Sequence, residues 1–143
     1  MKVRVKKLSP EARVPKVEHE GDAGFDLYSN ETQTLKPMER KLIGTGISIA
    51  IPKGFEAQVR PKSGLAINHG ITLLNTPGTI DSGYRGEVKA IMINLSPEEY
   101  KIEKGKKICQ VVFNKIEEPE LEEVEELDST KRGKGGFGST GLE

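Results

Sequence analysis

Apolar and polar positions along the chain alternate with a period of two in short runs, each bounded by Gly, Pro, Asn or Asp. Val3 and Val5 alternate with basic residues, Phe25-Asp26-Leu27-Tyr28 follows Gly24, and Ile47, Ile49 and Ile51 share one parity within residues 43–51. Residues 55–59 alternate likewise, 71–74 form a brief apolar run, 88–95 carry Val88, Ile91, Ile93 and Leu95, and 108–116 close the series. Successive side chains of a strand point to opposite faces, so the pattern predicts half-buried strands joined by turns. No apolar stripe of period 3.6 persists for three turns, which removes long helices from the expectation. The fold class is therefore all-β, a sandwich or barrel.

The strand runs end near residue 116, which makes residues 1–116 the expected domain. Residues 117–130 form an acidic linker or arm, in which 117–128 hold seven Glu and one Asp, with Leu121, Val124 and Leu127 spaced i, i+3, i+6. Such a run is either a solvated arm or an acidic binding surface. Residues 131–143 change character again, to Lys131-Arg132-Gly133-Lys134-Gly135-Gly136-Phe137-Gly138-Ser139-Thr140-Gly141 and two more. That tail has almost no core-forming residues and is expected to be flexible. It reads as a frayed terminus or as a phosphate-covering segment. Glycines let backbone N–H groups converge on an anion, Arg and Lys add charge, hydroxyls add donors, and Phe137 offers a flat face for a base.

Composition narrows the partners. The 143 residues balance 22 Lys+Arg against 22 Asp+Glu. Broad nucleic-acid or membrane-surface binding needs a surplus of cations, so neither partner is expected and phosphate recognition must be local. No apolar run approaches the roughly 18–20 residues of a membrane span. Cys109 is the sole cysteine and His19 and His69 the sole histidines, which excludes an intramolecular disulfide and multi-thiolate metal sites. A cytoplasmic location follows as the expectation. Cys109 falls in an apolar run and reads as a buried core thiol, and His69 as a turn or interface residue.

Two interior segments concentrate polar chemistry. Arg60-Pro61-Lys62-Ser63-Gly64-Leu65-Ala66 places a cation, a hydroxyl and a glycine at a strand end, and Thr76-Pro77-Gly78-Thr79-Ile80-Asp81-Ser82-Gly83-Tyr84-Arg85-Gly86 gathers turn residues around one carboxylate. Taken alone, each also reads as an ordinary turn. Together with Ala23-Gly24-Phe25-Asp26-Leu27, Gly105-Lys106-Lys107-Ile108-Cys109-Gln110 and the tail, they make five motifs in order. In these motifs the chain resembles the deoxyuridine triphosphate nucleotidohydrolases (dUTPases) of the homotrimeric, all-β type over nearly its whole length.

The resemblance implies a jelly-roll-like subunit, a homotrimer with shared sites, and hydrolysis of dUTP to dUMP and pyrophosphate. It makes Asp81 the catalytic base that activates water. Asn75, Gly78, Thr79, Ile80 and Tyr84 would select uracil and deoxyribose, with Lys89 at the nucleotide. Lys62, Ser63, Gly64 and Gln110 would bind phosphates, and Arg132, Phe137, Gly138, Ser139 and Thr140 would close over the substrate. Asp26 would be a supporting carboxylate, and Mg²⁺ would be held by phosphates and waters rather than by side chains. Three positions depart from the family pattern: Lys62 stands for a usual Arg, Gly83 for an acid and Lys134 for a Ser. The dCTP deaminases share the fold and are the alternative. Their catalytic Glu falls at the position of Ile91, which cannot move protons.

Overall fold

The computed structural model describes residues 1–141, so the tail read as 131–143 extends beyond the described residues at its last two positions. Six strands, β1 (Arg4–Lys7), β2 (Phe25–Tyr28), β3 (Gln33–Leu35), β4 (Arg40–Gly44), β5 (Ile47–Ala50) and β6 (Phe55–Arg60), precede the helix α1 (Ser63–His69). The strands β7 (Ile71–Leu73), β8 (Gly78–Ile80), β9 (Lys89–Asn94), β10 (Tyr100–Ile102) and β11 (Lys107–Lys115) follow it. One sheet has the order β2-β11-β6-β8, a second β4-β9-β7, and β1-β5 and β3-β10 form two-stranded ribbons. The pairing is antiparallel throughout the named strands.

Alternation decides which face each strand buries. Ile47 and Ile49 on β5, Ala57 and Val59 on β6, and Ala90 and Met92 on β9 are buried, while Ser48, Gln58 and Ile91 between them are only partly covered. These side chains join Leu27, Leu35, Ile43, Ile71 and Val111 in one core. Cys109 is fully buried within it, as expected, and burial pushes its thiol up to about 12. The fold is all-β and jelly-roll-like, as the sequence pattern and the motifs together predicted.

Three local features differ from the sequence reading. The run 43–51 is two strands, because the chain turns at Gly46, whose φ is 70° and whose N–H is bonded to Glu87 Oε1 at 2.9 Å. β3, β8 and β10 are three residues each, too short for alternation to show. Residues 63–66, read as part of a strand-end segment, and the three that follow, including His69, coil into α1. Gly70 ends that helix in the left-handed region at φ 64°, its N–H bonded to Ala66 O at 3.0 Å. α1 buries no residue, so it left no apolar stripe to read. In the acidic arm, Leu121, Val124 and Leu127 are exposed and lie outside any helix or strand.

Candidate active site

Two clusters of polar side chains stand at different ends of the β2-β11-β6-β8 sheet. The first gathers around Asp26 of β2, which is 5% exposed. Gln110 of β11 is its cross-strand partner, and Lys62 follows β6 by two residues. Asp26 Oδ1 is ion-paired with Lys62 Nζ, and Asp26 Oδ2 lies 2.8 Å from Lys107 Nζ. Lys107 Nζ also lies 2.8 Å from Glu18 Oε2. Burial alone would raise the Asp26 carboxyl, but the hydrogen bonds from Lys107 and Lys62 outweigh it and hold the group below its ordinary range. Hydrogen bonds to Asp26 and then Glu18 push the Lys107 ammonium upward in turn.

A register shift between Lys107 and Cys109 explains how Lys107 arrives there. Lys107 pairs with Tyr28, Cys109 with Leu27 and Gln110 with Asp26, so two positions of β11 answer one of β2. Strict alternation would put residues 107 and 110 on opposite faces; one extra residue in the strand puts them on the same one. Ile108 and Cys109 are then both buried. The sequence reading missed Lys107, and the period-two pattern held no signal for it.

Gln110 is fixed from two sides. Its Nε2 donates to Pro61 O at 2.9 Å, and its Oε1 lies where a Cβ on residue 24 would stand. Gly24 is therefore required by close approach, and it brings the first motif against the fourth. The space in front is a cavity of about 380 Å³ lined by Glu18, Asp22, Ala23, Gly24, Asp26, Lys62 and Gln110. Ser63 and Gly64 open α1 directly after Lys62, both exposed.

The second cluster surrounds β8. Asn75, Thr79, Ile80, Asp81, Tyr84 and Lys89, with Leu42, Glu87, Val88 and Ile91, line a cavity of about 250 Å³. The loop after β8 is tied by its own bonds: Tyr84 N–H to Asp81 O at 3.1 Å, and Arg85 Nη1 to Ser82 O and Tyr84 O at 2.7 and 2.8 Å. Tyr84 donates its hydroxyl to Glu87 O at 2.9 Å and lies over Gly86, where a Cβ would come 2.6 Å from its Cζ. Gly78 leaves room for the Asn75 amide, since a Cβ there would stand 3.3 Å from Nδ2. Lys89 Nζ lies 3.4 Å from Glu87 Oε2, so Glu87 holds Lys89 while its other oxygen caps Gly46. Asp81 itself is exposed to the cavity.

The structure thus brings Asn75, Thr79, Ile80, Asp81, Tyr84 and Lys89 together in one cavity, which Gly78 does not line, and Lys62, Gln110 and Asp26 in another, and the two cavities share no lining residue. Strand register explains the separation. Ile80 pairs with Ala57, so Asp81 leaves the sheet near Glu56, while Lys62 follows the opposite end of β6. At about 3.3 Å per residue, the two groups are roughly 15–20 Å apart along the strand direction. Among the described residues, those of the tail join neither cluster; their hydrogen bonds are local, such as Arg132 Nε to Gly135 O at 2.9 Å and Ser139 N–H to Gly136 O at 3.1 Å. Phe137 is fully exposed.

An antiparallel β domain with a carboxylate-bearing loop after an edge strand, a cationic pocket and a glycine-rich tail defines a nucleotide-handling protein of jelly-roll type. The dUTPase family model matches residues 10–141, and the chain belongs to that family. It is 60% identical over 142 residues to the deoxyuridine 5'-triphosphate nucleotidohydrolase of Clostridium novyi (strain NT), covering 99% of this chain and 100% of that one. Among solved structures it is similar to the Staphylococcus bacteriophage 80alpha dUTPase with dUPNHPP, at 32% identity and a TM-score of 0.92, covering 99% of each chain. It is also similar to a mutant dUTPase from phage phi11 of S. aureus that coordinates a structural Mg(II) ion, at 29% identity and a TM-score of 0.84, covering 90% of this chain and 100% of that one.

Proposed function

We propose that the chain hydrolyses dUTP to dUMP and pyrophosphate, with Asp81 as the base that deprotonates the attacking water. The water oxygen bonds to the α-phosphorus, the bond from that phosphorus to the bridging oxygen breaks, and pyrophosphate leaves. A carboxylate positioned on the water contributes about 10²–10⁴-fold. The observation that carries this reading is the cavity around β8, where Asp81 and Asn75 share a lining with Ile91. An aliphatic side chain stands at the place where a deaminase keeps its glutamate, and the cavity's other acid, Glu87, is engaged by Lys89 and the Gly46 N–H, which leaves Asp81 as the carboxylate for activating water.

Uracil presents an acceptor at O4 and a donor at N3. β8 is the outer strand of its sheet, so half of its backbone N–H and C=O groups lack a strand partner and are open to the base, with the Asn75 amide beside them. Gly78, Thr79 and Ile80 supply that edge. Cytosine reverses the pattern, and such a mismatch costs about 10⁴–10⁵ in specificity. Tyr84, held over Gly86, walls the sugar and Lys89 flanks it.

Lys62, Ser63, Gly64 and Gln110 receive the phosphate chain at the other cavity, with Asp26 beneath Lys62. Their distance from Asp81 within one chain supports a homotrimer in which different copies supply the two halves. Arg132, Phe137, Gly138, Ser139 and Thr140 then close from a tail that is free to move, excluding bulk water. Mg²⁺ suits this arrangement: Glu18 and Asp22 offer hard oxygen acceptors at the cavity rim for its waters, and among the described residues no His, Cys, Asp or Glu cluster is built to ligate an ion directly. When bound through the phosphates, it supplies charge neutralisation. The phage phi11 relative coordinates a structural Mg(II) ion.

Incubation with dUTP, dCTP, dTTP and UTP, with products resolved by chromatography, tests the reading. dUMP and pyrophosphate from dUTP alone are expected; deaminated products from dCTP would sink it. Asp81→Asn is expected to keep dUPNHPP binding while losing most turnover, and light scattering of the eluting protein reads the trimer.

A further inference from the structure

Asp26 carries one ammonium on each carboxylate oxygen, Lys62 on Oδ1 and Lys107 on Oδ2. The carboxylate is almost wholly shielded from water. If Lys62 moves to a phosphate, Asp26 loses one of its two partners, a costly step for a largely buried charge. The cavity adds to the difficulty: Glu18, Asp22 and Asp26 line it against the single cation Lys62. An entering polyanion meets three carboxylates, unless something else holds Asp26 neutral.

We propose that Lys107 is a positioning residue for phosphate binding, which keeps Asp26 neutralised so that Lys62 can exchange that carboxylate for the triphosphate. This rests on the reading of Lys62 as a phosphate ligand. The geometry suits the role. The irregularity in β11 turns Lys107 onto the Asp26 face, and Glu18 anchors the same ammonium from the outer side at 2.8 Å. Lys107 is not among the residues lining the cavity, so it steadies Asp26 from behind while Lys62 faces the opening. Lys62 makes a single-point contact on a flexible stem, which releases more readily than the two-pronged contact of an arginine.

The test measures dUPNHPP affinity by calorimetry for the full chain and its variants. Lys107→Gln is expected to weaken binding about tenfold, the weight of one charge-assisted hydrogen bond. Lys107→Arg, which keeps the charge, should stay within about threefold. Because Lys107 acts through Asp26, Lys107→Gln introduced into an Asp26→Asn background should change affinity by less than about twofold. That comparison needs no intact ion pair, so it stands even where the single variant fails to fold. Wild-type affinity in a folded Lys107→Gln variant, or a loss of about fivefold or more in the Asp26→Asn background, overturns the proposal. Unchanged affinity in Lys62→Ala instead removes Lys62 as a phosphate ligand. Weakened Lys62→Ala beside wild-type Lys107→Gln defeats only the role of Lys107.

Discussion

Gly24→Ala places one methyl group where the Gln110 carboxamide now lies, with Gln110 Cδ only 3.0 Å from the new carbon. Gly24 lies outside the left-handed region, so the backbone accepts alanine and the clash alone decides the outcome. To clear the methyl, Gln110 must leave its bond to Pro61 O, made at 2.9 Å. A partly buried neutral hydrogen bond is worth about 1 kcal/mol net. Displacing the side chain from its rotamer adds about 1 kcal/mol. Against this, alanine lowers the entropy of the unfolded chain, a gain of about 0.4–1 kcal/mol. The net loss is about 1–1.5 kcal/mol, which for a domain of this size lowers Tm by roughly 3–6 °C. Thermal unfolding followed by circular dichroism reads it. The cycle with Gln110→Ala isolates the cause: once the carboxamide is gone, Gly24→Ala should cost nothing, giving a coupling of about 1 kcal/mol. An equal Tm loss in both backgrounds would refute the contact as the reason for glycine at this position.

The remaining predictions concern acid, the thiol and the tail. The Asp26 carboxyl is depressed in the folded state, so its stabilisation is fully present above the ordinary aspartate value of about 3.9 and is lost as pH falls through the folded one. Tm measured from pH 7 down to 2 should therefore fall more steeply for wild type than for Asp26→Asn; parallel curves would contradict the pairing. Cys109 is fully buried and its thiol is pushed up to about 12, so a disulfide reagent at pH 8 should label native protein far more slowly than protein in denaturant. Comparable rates would mean the core opens readily. Deleting residues 131–143 should move Tm by no more than about 1 °C, because a segment with few core-forming side chains adds little packing, while turnover of dUTP falls sharply. A large loss of stability would place the tail in the body of the fold, and full turnover would remove its role in closure.

Much of this molecule was legible in one dimension because a strand writes its burial into sequence at period two. Ile47 and Ile49, Ala57 and Val59, and Cys109 could be assigned to the interior from their neighbours alone, and the segments bearing Lys62, Asp81 and Arg132 from their motifs. The helix α1 escaped that reading because it buries nothing, and β3, β8 and β10 because three residues show no period. The pairing of Asp26 with Lys62 joins residues 36 apart, and its pairing with Lys107 depends on one extra residue in β11. Alternation carries no trace of such an insertion, since it reverses face without altering composition. Local pattern therefore determined the strands, the turns and the identity of the chemical groups. Which groups share a face, which are held apart across β6, and which cation stands behind which carboxylate were decided by register, a property of two strands together that neither strand encodes alone.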